Sequence, residues 1–252
     1  MHKYSVLSYL NASLVSMVGL MAGGITTAQA EVSAHVGLLS SYVYRGAEEN
    51  DGLTIQAGVE YEHASGVYLG YWGSSLGYSP RHEYKDHDIE HDFFVGYRGA
   101  LSPKWQYDTQ VVSYVYQHGG SVRDDADKRH TTALEWLTHV NYQDLSLGVG
   151  VMLKDASWAN AGDVYLSAGY DYALPQDFLL STSIGVSLYN GNNDDPLLTT
   201  KKDVVLSEVR VGVSRAIFDS NFEGSVEYVW GGKDRAAEDL DQQAIVGLSY
   251  HF

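Results

Sequence analysis

The sequence has no cysteine and only 4 prolines among its 252 residues. The absence of cysteine excludes a disulfide framework and argues against a lipid-modified amino terminus. Scarce proline permits long strands, because proline cannot donate a hydrogen bond within a sheet. After residue 30, no apolar run approaches the roughly 18 residues of a membrane-spanning helix, so we predict no helical span.

Basic residues are also scarce. The chain has 16 Lys and Arg residues against 32 Asp and Glu residues, a formal net charge of −16 at pH 7. Nucleic-acid binding needs basic patches, so this charge argues against a nucleic-acid partner. The chain has instead 26 glycines and 20 tyrosines, which is typical of strands joined by tight turns and flanked by aromatic bands.

The first thirty residues have the features of a secretory signal peptide. Lys3 supplies a positive charge, an apolar stretch spans 14–22, and Ala28, Gln29 and Ala30 form a small-x-small cleavage site. The apolar stretch is too short to span a membrane, and a short anchor helix is the alternative. We therefore predict a signal peptide over 1–30 and a single exported domain over 31–252.

Apolar and polar residues alternate along most of this domain, as in strands with one apolar face. In one example, Leu145, Leu147 and Val149 alternate with Ser146 and Gly148. The pattern predicts an all-β fold of about twelve strands, at 32–44, 52–63, 66–76, 88–100, 104–118, 130–142, 144–153, 163–173, 177–189, 203–217, 220–230 and 241–252. Most are at least as long as the 9–11 residues with which a tilted strand crosses a bilayer.

The connections between these strands alternate between long and short. This parity and the even strand number indicate an antiparallel up-and-down barrel in an outer membrane, with short periplasmic turns and longer external loops. Aromatic residues on the apolar faces fall near the short turns, at Tyr61, Tyr97, Trp105, Tyr107, Tyr142, Tyr170, Tyr172, Phe222, Tyr250 and Phe252, and near the long loops, at Tyr44, Phe93, Tyr228 and Trp230. Two such bands are typical of membrane interfaces, although aromatic residues also favour strands in general.

The chain ends in AIVGLSYHF, a strand pattern that runs to the last residue. Val246, Leu248, Tyr250 and Phe252 share its apolar face and resemble the carboxyl-terminal signal that the outer-membrane assembly machinery recognises. An open sheet edge is not viable in lipid. We therefore predict that the last strand closes the barrel against the first.

Four stretches resemble the TorF-type porins of Gram-negative bacteria: SSYVYRG at 40–46, GVYLGYWGSSL at 66–76, IEHDFFVGYRG at 89–99, and YDTQVVSYVYQ at 107–117, followed by Glu135. The resemblance covers essentially all of 31–252 and implies a channel without established catalytic residues. Two departures affect the pore mouth. Gln117 and His118 stand where the family pattern has Tyr-Pro, and the first loop is acidic at Glu48 and Glu49.

Charged residues recur on the polar strand faces and are candidates for lining a pore. The set consists of Arg45, Glu90, Asp92, Arg98, Glu135, His139, Glu208, Arg210 and Glu227. They would line a constriction or hold a cation, or they would form a salt-bridge ladder that packs a narrow lumen. Inward glycines and serines are expected to leave room beside them. Because inward carboxylates outnumber inward bases, we predict a preference for cations.

The function that these patterns favour is a porin-like passive channel for small hydrophilic solutes or ions, with membrane lipid and the assembly machinery as partners. We predict no enzyme activity, no metal and no cofactor; the sequence does not indicate an oligomeric state. The alternatives are a non-conducting receptor or adhesin barrel, an outer-membrane hydrolase that uses His91 or His130, and a soluble β-sandwich. The acidic segments 124–127 and 192–195 lack the ligand spacing of an EF-hand, which predicts solvated loop tips.

Overall fold

The computed structural model describes residues 30–82, 84–123, 128–191, 197–218 and 220–252. The predicted signal peptide, apart from Ala30, lies outside the described residues, as do the acidic segments 124–127 and 192–195. Within the described ranges, no helix is long and apolar enough to cross a membrane. The 3-10 helix Pro175–Asp177 is a single turn that connects two strands.

The described residues form sixteen strands, which we number in chain order. They are β1 (Glu31–Leu39), β2 (Tyr42–Tyr44), β3 (Ala47–Asn50), β4 (Thr54–Glu62), β5 (Val67–Leu76), β6 (Asp88–Ser102), β7 (Trp105–Tyr116), β8 (Ser121–Arg123), β9 (Lys128–His130), β10 (Ala133–Tyr142), β11 (Leu145–Met152), β12 (Val164–Ala173), β13 (Leu179–Leu188), β14 (Val204–Ala216), β15 (Phe222–Gly231) and β16 (Gln243–His251).

Twelve of these strands close into one antiparallel barrel, in the order β1, β4, β5, β6, β7, β10, β11, β12, β13, β14, β15 and β16. The last strand returns to the first, with His35 opposite His251 and Leu39 opposite Gly247. The predicted fold class, strand number and closure are thus confirmed. The soluble β-sandwich is wrong, because the twelve strands form a single closed wall and not two packed sheets.

The wall has an apolar outer face and a polar inner face. Leu147, Ile184, Val226 and Val246 project outward with 44–58% of their surfaces exposed. Soluble monomers rarely expose a continuous apolar belt of this kind. An apolar band around a polar interior is what a barrel in lipid requires.

Outward aromatic rings lie at both ends of the wall. Near the short turns, Trp105 and Tyr142 have ring centroids 4.7 Å apart, and Phe222 and Tyr250 are also 4.7 Å apart. Near the long loops, Trp230 contacts Tyr228 with a centroid distance of 4.5 Å. Tyr97, Tyr170, Tyr172, Phe93 and Phe252 are also exposed on this outer face.

The first strand is shorter than predicted, and its predicted end at residue 44 is wrong. The barrel strand β1 stops at Leu39, and Ser40 makes the last backbone bond to the wall, from its N–H to the Val246 oxygen at 2.9 Å. The chain then turns inward, and β2 and β3 pair as a hairpin inside the barrel. We call residues 41–50 the lumen hairpin. Tyr44 therefore lies in the lumen and not in the outer aromatic band.

A second hairpin, formed by β8 and β9, extends the long connection between β7 and β10. It stands at the end of the barrel that carries the long loops. The lumen hairpin begins at this same end, where β1 finishes and β4 begins.

Candidate functional site

The lumen hairpin contacts one side of the barrel wall through Tyr42. The Tyr42 ring packs edge-on against Trp72 of β5, with centroids 5.7 Å apart. Its hydroxyl donates a hydrogen bond of 3.1 Å to Glu90 Oε2 of β6. This tyrosine is 2% exposed, so the contact closes that side of the lumen at the level of the hairpin.

The turn of the hairpin carries Arg45 to the neighbouring part of the wall. Its Nη2 atom lies 2.7 Å from Oε1 of Glu135 on β10, and its guanidinium lies 4.3 Å from the centroid of the Tyr165 ring on β12. The second oxygen of Glu135 accepts a hydrogen bond of 2.6 Å from the Tyr114 hydroxyl. The Tyr44 hydroxyl also donates to this oxygen, at 3.5 Å. Glu135 is fully buried, so its carboxylate has exchanged water for three specific partners.

The opposite side of the wall contacts the hairpin backbone. Arg210 of β14 donates from Nη2 to the Val43 carbonyl oxygen at 2.9 Å. The Val43 side chain is fully buried against Val229 of β15 and Ile245 of β16. Gly46 has φ of 87°, and a side chain there would collide with the carbonyl oxygen of Ser207.

The hairpin separates two cavities. An outer cavity of about 210 Å³ lies under the long loops, and Arg45, Glu49 and Trp158 are among its lining residues. An inner cavity of about 150 Å³ lies toward the short turns, and its lining includes Ile245, which packs against Val43. The lumen is therefore divided at the level of the hairpin.

Besides its contact with the hairpin, Arg210 binds two carboxylates on the inner face of the wall. It is fully buried, donates from Nε to Glu208 Oε2 at 2.8 Å, and donates from Nη1 to Glu227 Oε1 at 2.8 Å. Breaking one partner of such a buried arrangement would leave an unpaired charge, which is strongly destabilising. The three predicted residues thus act as one unit in the structure.

Arg98 organises a second group, closer to the short turns. Its Nη1 atom lies 2.7 Å from Glu60 and 2.8 Å from Glu62, and its Nε lies 3.2 Å from Asp108. Arg98 shares the inward face of β6 with Glu90 and Asp92, as the alternation of polar and apolar residues indicates. It pairs, however, with carboxylates of β4 and β7 and not with those of its own strand.

Glu90 and Asp92 face the lumen without a cationic partner among the described residues. Glu90 accepts a hydrogen bond from Tyr42, and Asp92 is 2% exposed. Within the described part of the chain, Oδ1 of Asp92 has no hydrogen-bond partner. These two carboxyl groups therefore lie near the hairpin without an arginine beside them.

His139 faces the lumen below Arg45, where a small cavity of about 40 Å³ includes both residues in its lining. Its ring lies over Gly148 of β11, and the ring of Tyr165 lies over Gly185 of β13. The expectation that inward glycines leave free space is wrong at these positions, because neighbouring rings occupy the space that a side chain would take. It is correct at Gly212, where a Cβ atom would have its nearest neighbour at 3.6 Å.

Glu49 of β3 lies outside the barrel strands and lines the outer cavity. Burial raises the pKa of its carboxyl from 4.5 to about 7, although the hydrogen bond that Tyr78 donates at 2.5 Å acts in the opposite direction. Glu90, Tyr42 and Tyr116 are its other titratable neighbours. Ionisation of Glu49 therefore disfavours the docked hairpin.

Raising the pH through 7 should loosen the lumen hairpin. Because the pKa of Glu49 is higher in the docked hairpin, the stabilisation is complete below the ordinary pKa of 4.5 and is lost as the pH rises through about 7. Hydrogen exchange of the amides at 42–50, compared with the variant Glu49→Gln at each pH, measures the effect. Equal pH responses in both proteins would show that Glu49 does not control docking.

The hydrolase alternative depended on His91 and His130. The His91 Nδ1 atom lies 2.9 Å from the Tyr71 hydroxyl on the outer face, and His130 Nδ1 lies 3.5 Å from Ser121 Oγ in an exposed hairpin. Among the hydrogen bonds of the described residues, neither histidine lies between a serine and a carboxylate, as a catalytic triad requires. The described residues also contain no group of three or more His, Asp and Glu that could hold a metal ion.

Sequence reasoning missed the lumen hairpin. The residues Tyr42, Val43 and Tyr44 all favour strands, so strand propensity alone does not show where the strand leaves the wall. The available signal was the length of the predicted strand at 32–44, which exceeds the 9–11 residues needed to cross a bilayer. Arg45 followed by Gly46 then marks the turn, where both residues have positive φ, of 49° and 87°.

Comparisons with known proteins identify a family and a shared fold. Residues 24–245 match the profile of Gcw_chp, described as a bacterial protein of unknown function. No curated protein matches the sequence. A KdgM porin has a similar structure, with a TM-score of 0.52 and 12% identity, over 87% of this chain and 99% of that chain. The outer membrane phospholipase A from Escherichia coli is also similar, with a TM-score of 0.44 and 13% identity, over 88% of this chain and 91% of that chain. Identities this low establish the fold alone.

Proposed function

We propose that this chain, which belongs to the bacterial family of unknown function Gcw_chp, is an outer-membrane channel for small hydrophilic solutes or ions. The observation that carries the proposal is the closed wall with an apolar outer face and a charged, cavity-containing interior. A passive channel needs a hydrated path and no catalytic group. The resemblance to TorF-type porins and the fold shared with a KdgM porin support the same function.

Single-channel recording in a planar bilayer tests this function directly. We expect discrete conductance steps from the purified, folded protein. Heat-modifiable migration on a detergent gel verifies that the sample is folded. Folded protein that never conducts, across several lipids and salt concentrations, would favour a receptor or adhesin barrel instead.

We further propose that the channel prefers cations. Each buried or half-buried arginine of the lumen is already matched by carboxylates: Arg45 by one, Arg210 by two and Arg98 by three. The groups around Arg210 and Arg98 therefore each contain more carboxylates than cations. Carboxylates in a narrow pore attract cations, and screening over about 8 Å at physiological salt leaves their field strong at the axis.

The reversal potential under a potassium chloride gradient should show cation preference at neutral pH. Replacing Glu62 by Gln should reduce that preference while conductance persists, because Arg98 keeps Glu60 and Asp108 as partners. Glu135 and Glu208 are less suitable for this test, because they bind Arg45 and Arg210 and their loss would also disturb the hairpin. The matched control is Glu238→Gln, which removes an exposed loop carboxylate. Chloride preference in the wild-type protein would contradict the proposal.

A further inference from the structure

We propose that the lumen hairpin, and not the barrel wall, sets the conductance and the size limit for solutes, and that the Arg45–Glu135 ion pair holds it in place. This inference rests on the proposed channel function and deepens it. The hairpin contacts β5, β6, β7 and β10 on one side and β12, β14, β15 and β16 on the other.

The hairpin lies between the two cavities, so a path through the barrel must pass it. The outer cavity ends at Tyr44 and Arg45, and the inner cavity ends near Ile245, beneath Val43. A solute that passes from one cavity to the other must therefore cross the level of the hairpin. Cavities of about 210 and 150 Å³ lie on the two sides of the hairpin.

The two ends of the hairpin are held differently. At its base, Ser41 Oγ donates to the backbone carbonyl oxygen of Asn50 at 2.9 Å, and the Gly77 N–H donates to the backbone carbonyl oxygen of Glu49 at 2.8 Å. The turn is held by the Arg45 ion pair, by the bond from Arg210 to the Val43 oxygen, by the buried Val43 side chain, and by the Tyr44 ring, which packs edge-on against Tyr114 and Trp158. The base therefore stays at the outer rim, while the position of the turn depends on side-chain contacts inside the barrel.

The Arg45–Glu135 ion pair can be broken without changing the volume of either side chain, so its loss tests the docking of the hairpin alone. A two-stranded hairpin is marginally stable by itself, so the lumen hairpin depends on the wall for its position. Replacing Glu135 by Gln keeps the side-chain volume but leaves the half-buried Arg45 guanidinium without its counter-charge, which weakens the docked state. The turn is then free to sample positions away from β10.

The experiment compares three variants with the wild-type protein in planar bilayers. In the first, a short Gly-Ser turn replaces residues 41–50; in the second, Glu135 is replaced by Gln. The control is Asp239→Asn, which neutralises the carboxylate of the exposed Lys233–Asp239 ion pair outside the barrel strands. Hairpin replacement should raise the conductance by about threefold or more, because the lumen of a barrel without an internal obstruction is set by its strand number.

Glu135→Gln should produce frequent steps to this higher conductance, whereas Asp239→Asn should keep the wild-type step size. Neutral polyethylene glycols of increasing size should enter the replaced channel and be excluded from the wild-type channel. If the two hairpin variants fold and conduct like the wild-type protein, the inference is wrong. If no folded variant conducts at all, the channel function itself is wrong.

If the variant with the replaced hairpin does not fold, a labelling experiment tests whether the hairpin limits the conductance. Because the protein has no cysteine, Ala47→Cys introduces a single thiol on the hairpin, facing the outer cavity. A bulky thiol reagent should reduce the current by more than half, and the same reagent on Ser65→Cys, in an exposed short turn, should leave it unchanged. Complete labelling of Ala47→Cys with unchanged current would overturn the inference.

Discussion

Replacing Val149 by arginine should prevent stable assembly of the barrel. Val149 lies in the middle of β11 on the outer face, opposite Thr138 of β10 and Leu166 of β12. An arginine at the bilayer midplane on this face costs roughly 2–4 kcal/mol. That corresponds to a loss of about 30- to 700-fold in the folding equilibrium, a large share of the stability of a typical domain.

Unfolding by urea in lipid vesicles, followed by heat-modifiable migration, measures this loss. The control is Gly212→Ala on the lumen face, where an added Cβ atom meets no neighbour closer than 3.6 Å. Gly148→Ser, which the alternation alone predicts to be nearly silent, is now expected to destabilise, because Ser167 and the His139 ring fill its surroundings. An arginine variant as stable as the wild-type protein would place Val149 in contact with water.

Deleting residues 250–252 should leave the exported chain in the periplasm, where it is degraded. Tyr250 pairs with Val36 across the closing seam, and the Phe252 N–H donates to the Ala34 oxygen at 2.9 Å. Without these residues, part of the β1 edge keeps unpaired backbone groups, which lipid cannot satisfy. We also expect the shortened chain to lose the signal that the assembly machinery recognises.

The amount of protein in the outer-membrane fraction, relative to the periplasm, measures this effect. Phe252→Ala serves as the comparison, because it keeps the backbone pairing and removes the terminal ring. A defect in both proteins would assign the effect to recognition of the ring; a defect in the deletion alone would assign it to closure. Normal outer-membrane levels of the shortened chain would contradict both roles.

Alternation predicted the orientation of the wall because a single sheet between lipid and a polar lumen obeys one rule along its length. Ile55, Leu147 and Ile184 face outward as the pattern required, and Gln56 and Ser183 face inward. The same rule could not locate the end of β1, because Tyr42, Val43 and Tyr44 form a strand in the hairpin just as they would in the wall. The alternation of residues along a strand shows that its two faces differ. It does not show whether a face meets lipid, the lumen wall or another segment of the chain.

The lumen contacts were less predictable than the wall. Sequence analysis placed Arg45, Glu135 and Arg210 inside, but their partners depend on the register around the barrel and on the path of the hairpin. Arg45 and Glu135 are 90 positions apart in the chain, and Arg210 and Val43 are 167 apart. The free space beside Gly148 and Gly185 was overestimated for a related reason, because the aromatic rings that fill it come from neighbouring strands.

The two ends of the lumen hairpin meet at the rim, where Ser41 bonds to Asn50. A segment whose ends lie side by side can be exchanged for another of equal span without shifting the register of any barrel strand. Arg210 binds a backbone oxygen of this segment, so that contact does not depend on which side chain stands at position 43. We therefore expect that hairpins of equal span, grafted between residues 41 and 50, would change the width of the lumen while the register of the barrel strands is kept.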